Sequence, residues 1–388
     1  MTIKDLTAGK SVLELILLGA LGLGILFSQI SISIAQIFLG AALAVWIVLL
    51  VRRERTFAAP GFFWPLLAYA GLSLLATAFS VNPGVSFGEA RGLLPFLLVP
   101  VLFTALARDG ETEWLLAAFL ASGFVNALYS IGYEFARADP GERVSGFMGH
   151  YMTQAGLLML FCSVALGFVL FRRGRARLAW AGGLVLAAWA LVLTLTRSGW
   201  IGLGVAAVVV ALLWKPKILI LLPVLAALFF AVSPRTVRGR ALSIFSLRDP
   251  SNQYRLEYAR AGAKIIADYP LFGTGPKTVR MVFQNPKYGL SEMAKRNVHL
   301  HSNIMQIAAE RGVTALVAWL AFIVAAFLAL LKLARRAGDP ARPLAAGALA
   351  GLAAFFVAGF FEYNFGDSEV STLLLIVLTL PFVTSRTR

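Results

Sequence analysis

Histidine and cysteine are almost missing from this chain of 388 residues, which has three of the first and one of the second. A single cysteine, Cys162, excludes an intrachain disulfide, so any folded loop must be ordered by packing. Three histidines with no useful cysteine beside them give no zinc-type spacing. Charge is scarce as well, at 14% of residues, and it leans one way, with 35 Lys and Arg against 19 Asp and Glu. A soluble domain carries about a quarter of its residues charged, so that class is excluded. No fixed-period repeat and no low-complexity tract is present. GTGPKT (273–278) lacks the GxxxxGK[ST] spacing and a preceding strand, which excludes a nucleotide-binding loop.

What fills the chain is hydrocarbon: 59% of residues are hydrophobic. Apolar runs long enough to cross a bilayer core of about 30 Å recur, bounded by Gly, Pro or charge. They lie near 12–28, 31–51, 61–79, 92–107, 113–131, 151–171, 178–195, 199–214, 216–232, 312–333, 342–361 and 370–385. The pattern predicts an all-α integral membrane protein, one transmembrane domain over 1–388 with about twelve spans. The first run follows Lys4 and Lys10 without a small-residue cleavage site, and is expected to be a retained helix. Cationic loops resist translocation. With Arg52, Arg53, Arg55, Arg108, Arg172, Arg173, Lys215, Lys332, Arg335, Arg386 and Arg388 inside, both termini are predicted to be cytoplasmic. The short outer connections before residue 233 carry only Arg91, Arg137, Arg143 and Arg197.

Residues 233–300, between spans nine and ten, form the one long outer loop. It holds twelve basic residues against four acids, a net of +8. A surface so one-sided suits an anionic ligand such as a lipid-linked phosphate, or contact with anionic headgroups. Within it, YRLEYARAGAKIIADY (254–269) spaces Leu256, Ala259, Ala263 and Ile266 as the apolar face of a helix, closed by Pro270 and an LFGTGP turn. That helix is expected to lie on the membrane surface, apolar side down.

Chemistry is expected on this outer side. NVHLHSNIMQIAAERG (297–312) holds two of the three histidines just ahead of a helix, with Asn303 and Gln306 spaced as a cap. The partial positive charge of a helix N-terminus disfavours imidazolium, so His301 is suited to act as a neutral general base; the plainer reading is that it only caps the helix. His299 and His301 could join a carboxylate on a metal, though the sequence offers no further ligand. Arg197, in TLTRSGW (194–200), sits at a span boundary, where an arginine either snorkels or binds an anion such as a diphosphate. Arg255, Arg260 and Arg91 (beside Glu89) could add to the same electropositive site. Glu362 and Asp367, in EYNFGDSE (362–369), could orient a histidine or bind sugar hydroxyls.

Three pieces, in this order around a long loop, resemble the polysaccharide polymerase and ligase superfamily of bacterial envelopes, most closely its O-antigen ligases. LTLTRSGW (193–200) is similar to a TRS pattern at a helix start. RLEYARAGAKIIADYPLFGTGP (255–276) looks like an Arg-bearing helix followed by a P-x-x-G-x-G turn. HLHSNIMQIAAERGVTAL (299–316) is similar to an H-x-H-N…E-x-G pattern, with Ser302 inserted before Asn303. The resemblance implies a C-type membrane glycosyltransferase fold and a reaction without metal or cofactor. The implied donor is an undecaprenyl diphosphate-linked glycan, and the implied acceptor a sugar hydroxyl of lipid A-core oligosaccharide at the periplasmic face of the inner membrane. His301 is then the base, Arg197, Arg255 and Arg260 hold the diphosphate, and His299, Asn303 and Arg91 support the site or contact the acceptor. Membrane lipids are the other partner, with no nucleic acid. An O-antigen polymerase or a protein O-oligosaccharyltransferase would use the same residues on another acceptor. A lipid-linked glycan flippase would use the basic loop for capture alone, but such a transporter needs charged or broken helices near the midplane, and the spans here are nearly free of them.

Overall fold

The computed structural model describes residues 9–106, 109–136, 142–336, 338 and 341–384, and all regular structure among them is helical. In chain order the helices are α1 (Val12–Phe27), α2 (Ile32–Val51), α3 (Phe63–Ala78), α4 (Pro83–Gly88), α5 (Leu98–Ala105), α6 (Asp109–Ala136), α7 (Tyr151–Phe171) and α8 (Ala176–Leu193). There follow α9 (Arg197–Trp214), α10 (Leu221–Val232), α11 (Arg235–Leu242), α12 (Pro250–Asp268), α13 (Val279–Val282), α14 (Asn303–Arg336), α15 (Ala341–Ala358) and α16 (Ser368–Thr384). Eight helical stretches are long and apolar enough to cross a membrane, and four more are apolar but shorter: Val12–Phe27, Phe63–Ala78, Pro216–Val232 and Ser368–Thr384. Every apolar run picked out in the sequence falls on one of these. The run at 92–107 opens as a 3-10 helix, Ala90–Leu97, because Pro95 has no N–H for the α-helical ladder. Lys4, Arg108, Arg137, Arg386 and Arg388, which entered the orientation argument, lie outside the described residues.

α7 and α15 form the centre and are buried along most of their length, with α9 against both. Small residues allow this approach. A Cβ on Gly167 would stand 2.2 Å from the Pro343 carbonyl oxygen, and one on Gly347 would stand 2.7 Å from Cα of Val164. In lipid, where apolar burial distinguishes helix from solvent weakly, close backbone contact of this kind is a main source of association. α10 is at the other extreme, with no buried residue.

The segment between α10 and α14 has its own buried cluster, built from Tyr258, Ala261 and Ile265 of α12 together with Val279, Phe283, Tyr288, Leu300 and Ala309. Leu256, Ala259 and Ala263 point outward, and the side of α12 that packs inward runs through Tyr258, Ala261 and Ile265. Both stripes have helical spacing. Tyr258 decides between them because its hydroxyl finds an acceptor inside, the Ala294 carbonyl at 3.1 Å. α12 starts at Asp249, whose side chain accepts from Ser251 N, with Pro250 at the first helical position.

α14 is continuous for 34 residues except at Gly312, where φ is 81° and ψ is 167°. The break lets the LFGTGP turn dock on the helix through main-chain atoms. Thr274 N donates to Ala309 O at 2.9 Å, Gly275 N to Glu310 O at 2.8 Å, and Val313 N to Pro270 O at 2.8 Å. No side chain fits at the junction: a Cβ on Gly312 would lie 2.0 Å from the Leu271 carbonyl oxygen, and one on Gly273 would lie 2.3 Å from the Glu310 carbonyl carbon. The two glycine motifs of the sequence are therefore two halves of one clasp.

Candidate active site

His301 stands just before α14 with φ at +51°, a conformation that costs a non-glycine residue roughly 1–2 kcal/mol and is held only where neighbours enforce it. The neighbours are identifiable. Leu300 N donates to Gln306 Oε1 at 2.6 Å, and His301 N donates to His299 Nδ1 at 3.3 Å. The cap differs from the sequence expectation, because Asn303 is already helical and the residue ahead of it, Ser302, accepts from Met305 N at 3.5 Å. Asn303 is buried and does other work: its amide donates to Asn364 Oδ1 at 2.6 Å and accepts from Phe365 N at 3.0 Å, binding the start of α14 to the loop between α15 and α16.

That loop brings in Glu362, 6% exposed, with Oε2 3.3 Å from His301 Nδ1 and Oε1 3.7 Å from His299 Nε2. Burial alone would raise the Glu362 carboxyl, but the His301 hydrogen bond, the two neighbouring imidazoles and the Arg255 charge hold it below the usual range. An ionised carboxylate can only accept, so the proton of a neutral His301 sits on Nδ1 and its lone pair on Nε2. This is the base-and-orienter arrangement of hydrolytic triads. His299 is pushed down to about 4, chiefly by burial and then by His301 and His150 against the pull of Glu362, so it is neutral at pH 7.

His301 borders a polar cavity of about 170 Å³, which is also lined by Arg143, Arg197, Arg240, Arg255 and Tyr258. Asp249 pairs with Arg197 at 3.1 Å and Arg240 at 3.6 Å, so four guanidinium groups share one carboxylate and keep an excess of positive charge that suits an anion. Arg255 is lowered from its ordinary value by burial and by repulsion from Arg197 and Arg240; Arg143 is lowered to about 10 by burial and by the other three. They differ in how they are held. Arg197, 6% exposed, donates from Nη1 to Ser243 O (2.8 Å) and Oγ (2.9 Å), and from Nη2 to Asp249 Oδ1 (3.1 Å) and Asn252 Oδ1 (3.0 Å). Arg143 lies 3.4 Å over the Tyr151 ring and donates to Thr194 O and Leu195 O. Arg255 donates only from Nε, to Phe361 O at 3.1 Å, which leaves both Nη groups for a ligand.

The structure thus brings together His301, His299, Arg197 and Arg255, with Asn303 supporting from below. It does not bring Arg260, which is exposed: five residues along a helix is a turn of about 140° beyond a full circle, so Arg255 and Arg260 cannot face one pocket. Arg91 lies in a different cavity, with Lys277 and Gly366. Arg143, Arg240 and Tyr258 are the residues that sequence reasoning missed; the first two had been counted only as loop charges.

Donor atoms of His299, His301 and Glu362 lie within 4.8 Å of one another, close enough to hold a metal ion. The hydrogen bonding argues for a proton instead. His299 Nδ1 is occupied by a backbone N–H, which places its own proton on Nε2, the nitrogen that faces Glu362. A cation there would have to displace that proton and the Nδ1–H of His301.

Residues 182–320 match the family model described as O-Antigen ligase. This match, over about a third of the chain, supports the O-antigen ligase-like superfamily. The matched stretch contains Arg197, Arg240, Arg255, His299 and His301, and ends before Glu362. An O-antigen ligase- or polymerase-type function, in a membrane and on lipid-linked glycan, follows for the chain. No curated protein matches it.

Proposed function

We propose that the chain ligates an undecaprenyl diphosphate-linked O-antigen glycan, en bloc, to a sugar hydroxyl of lipid A-core oligosaccharide. In this reading 1–388 is one transmembrane domain of the C-type glycosyltransferase kind with twelve crossings and cytoplasmic termini in the inner membrane, and 233–300 is its periplasmic loop. The observation that carries the chemistry is the His301 Nδ1 to Glu362 contact at 3.3 Å beside a cavity lined by four arginines.

The acceptor hydroxyl gives its proton to Nε2 of His301 while its oxygen attacks the anomeric carbon of the donor. The bond from that carbon to the phosphate oxygen breaks, and the electron pair leaves with undecaprenyl diphosphate. Glu362 stabilises the imidazolium that forms. Arg255 meets the diphosphate with its free Nη groups, and Arg143, Arg197 and Arg240 add charge from fixed positions. Donors already in place cost no reorganisation as the leaving-group charge develops. One displacement inverts the anomeric centre, and a diphosphate leaving group needs neither a nucleotide nor a metal.

The test is a strain lacking its own ligase, complemented with this chain and with His301→Ala, its lipopolysaccharide resolved by gel. A ligase restores the polymer ladder, and His301→Ala leaves lipid-linked polymer unattached. In a second strain that keeps its ligase and lacks only this chain, core plus one repeat and no ladder would assign it as a polymerase. Product linkage of retained configuration would remove the direct displacement.

A further inference from the structure

The second cavity, of about 620 Å³, opens between α2, the 3-10 helix Ala90–Leu97 and the start of α16. Its size is that of a ligand site, and its walls are hydrocarbon: Leu39 and Leu43 on one side, Leu94 and Leu98 on the other. The polar side chains of its lining besides the charged ones are Gln36, Ser368 and Thr372. Cations stand at the end nearest the loops. Lys277 is paired with Glu89 at 2.5 Å, whereas Arg91 is exposed and has no polar partner among the described residues. An apolar slot ending in an unpaired guanidinium is complementary to an amphiphile with hydrocarbon chains and an anionic head.

The loop from α15 to α16 takes part in both cavities. Glu362 holds His301, and four residues on, Gly366 lines the slot. Four residues of chain span at most about 14 Å, so a head group at the mouth of the slot lies a few sugar units from Nε2 of His301. The diphosphate of the donor is already provided for by the arginines of the small cavity. The other lipid-borne substrate must reach the same base from a separate place.

We propose that the slot seats the acceptor lipid, with its acyl chains between Leu39 and Leu43 of α2 and Leu94 and Leu98 opposite, and a phosphate of its head group at Arg91. This rests on reading the small cavity as the donor diphosphate site. Gly40 lines the slot and has no atom within 4 Å of where its Cβ would be, so Gly40→Trp fills the slot without moving the backbone. Arg91→Glu reverses the charge at its mouth and breaks no ion pair.

The experiment uses the full chain in nanodiscs with phosphorylated lipid A-core and with undecaprenyl diphosphate-linked glycan, each binding followed separately by native mass spectrometry. Acceptor retention is expected to fall about tenfold or more in both variants, and acceptor KM to rise by a similar factor, with donor retention and donor KM unchanged. Loss of donor retention would make the slot the donor's and overturn the proposal, as would retention of both lipids at wild-type levels. Should Gly40→Trp not fold, Arg91→Glu decides alone. Wild-type chain that binds both lipids and transfers nothing would sink the ligase reading and leave the slot assignment standing.

Discussion

The two cavities at the loop end of the bundle are built on opposite plans. The small one is polar and crowded, its guanidinium groups fastened to Ser243, Asp249, Asn252 and backbone carbonyls, and its base fixed by a carboxylate. The slot beside α2 is larger, walled by leucines, and has one unpaired cation. The difference separates two demands. Stabilising charge that appears only in a transition state requires dipoles fixed in advance, whereas retaining a lipid requires apolar area and tolerates an imprecise head-group contact.

The comparison breaks most easily at His301. His301→Ala should lower transfer by about 10²–10⁴-fold with both lipids still retained, measured as product formed in nanodiscs; near-wild-type turnover would end the base assignment. Next come the two arginines that looked equivalent in sequence. Arg255→Ala and Arg197→Ala should each reduce turnover by about 10²–10³-fold. Only Arg197→Ala should also lower the thermal unfolding midpoint, because it strips Asp249 of its nearer partner and leaves it Arg240 at 3.6 Å, a loss of about 1–2 kcal/mol for a part-buried, hydrogen-bonded pair. Equal midpoints for the two variants would mean that the loop is not held through Arg197.

A pH effect sharpens the polar side further. His299 titrates near 4 in the folded chain against 6.5 when free, so between those values the unfolded chain binds a proton that the folded chain does not. Stability is therefore full above about pH 6.5 and declines as the pH falls toward 4. The decline should be shallower in His299→Gln, as read by thermal unfolding from pH 7 to 4.5. The smallest effect belongs to Arg260→Ala, expected to change turnover less than about twofold, since an exposed charge outside both cavities contributes little.

The membrane helices were legible because an apolar run of bilayer length has few other uses. His301, Arg197 and Arg255 were legible as unusual residues at unusual places. Glu362 was harder: it is 61 residues from His301, and an acid in an aromatic loop looks like any solvated acid until Asn303 is seen binding that loop to α14. Arg240 was hidden among a dozen loop cations and Arg143 among the four of the shorter outer connections, and only the fold selects which of them share a cavity. The inward side of α12 was hidden in the same way: two apolar stripes two residues apart have helical spacing, and the one that packs inward is the one whose hydroxyl meets a carbonyl elsewhere in the loop.

The break at Gly312 has a mechanical consequence. Below it, α14 is embedded with the other apolar helices; above it, the same helix has His301 just before its first residue and grips the arm that bears Arg255 through main-chain hydrogen bonds, joined by the Thr314 hydroxyl and the packing of Met305 and Ala309. Base and guanidinium are thus mounted on one bracket. Their spacing is set largely by peptide geometry at a joint where the glycines admit no side chain, which neither a drifting loop nor a change in bilayer thickness readily alters.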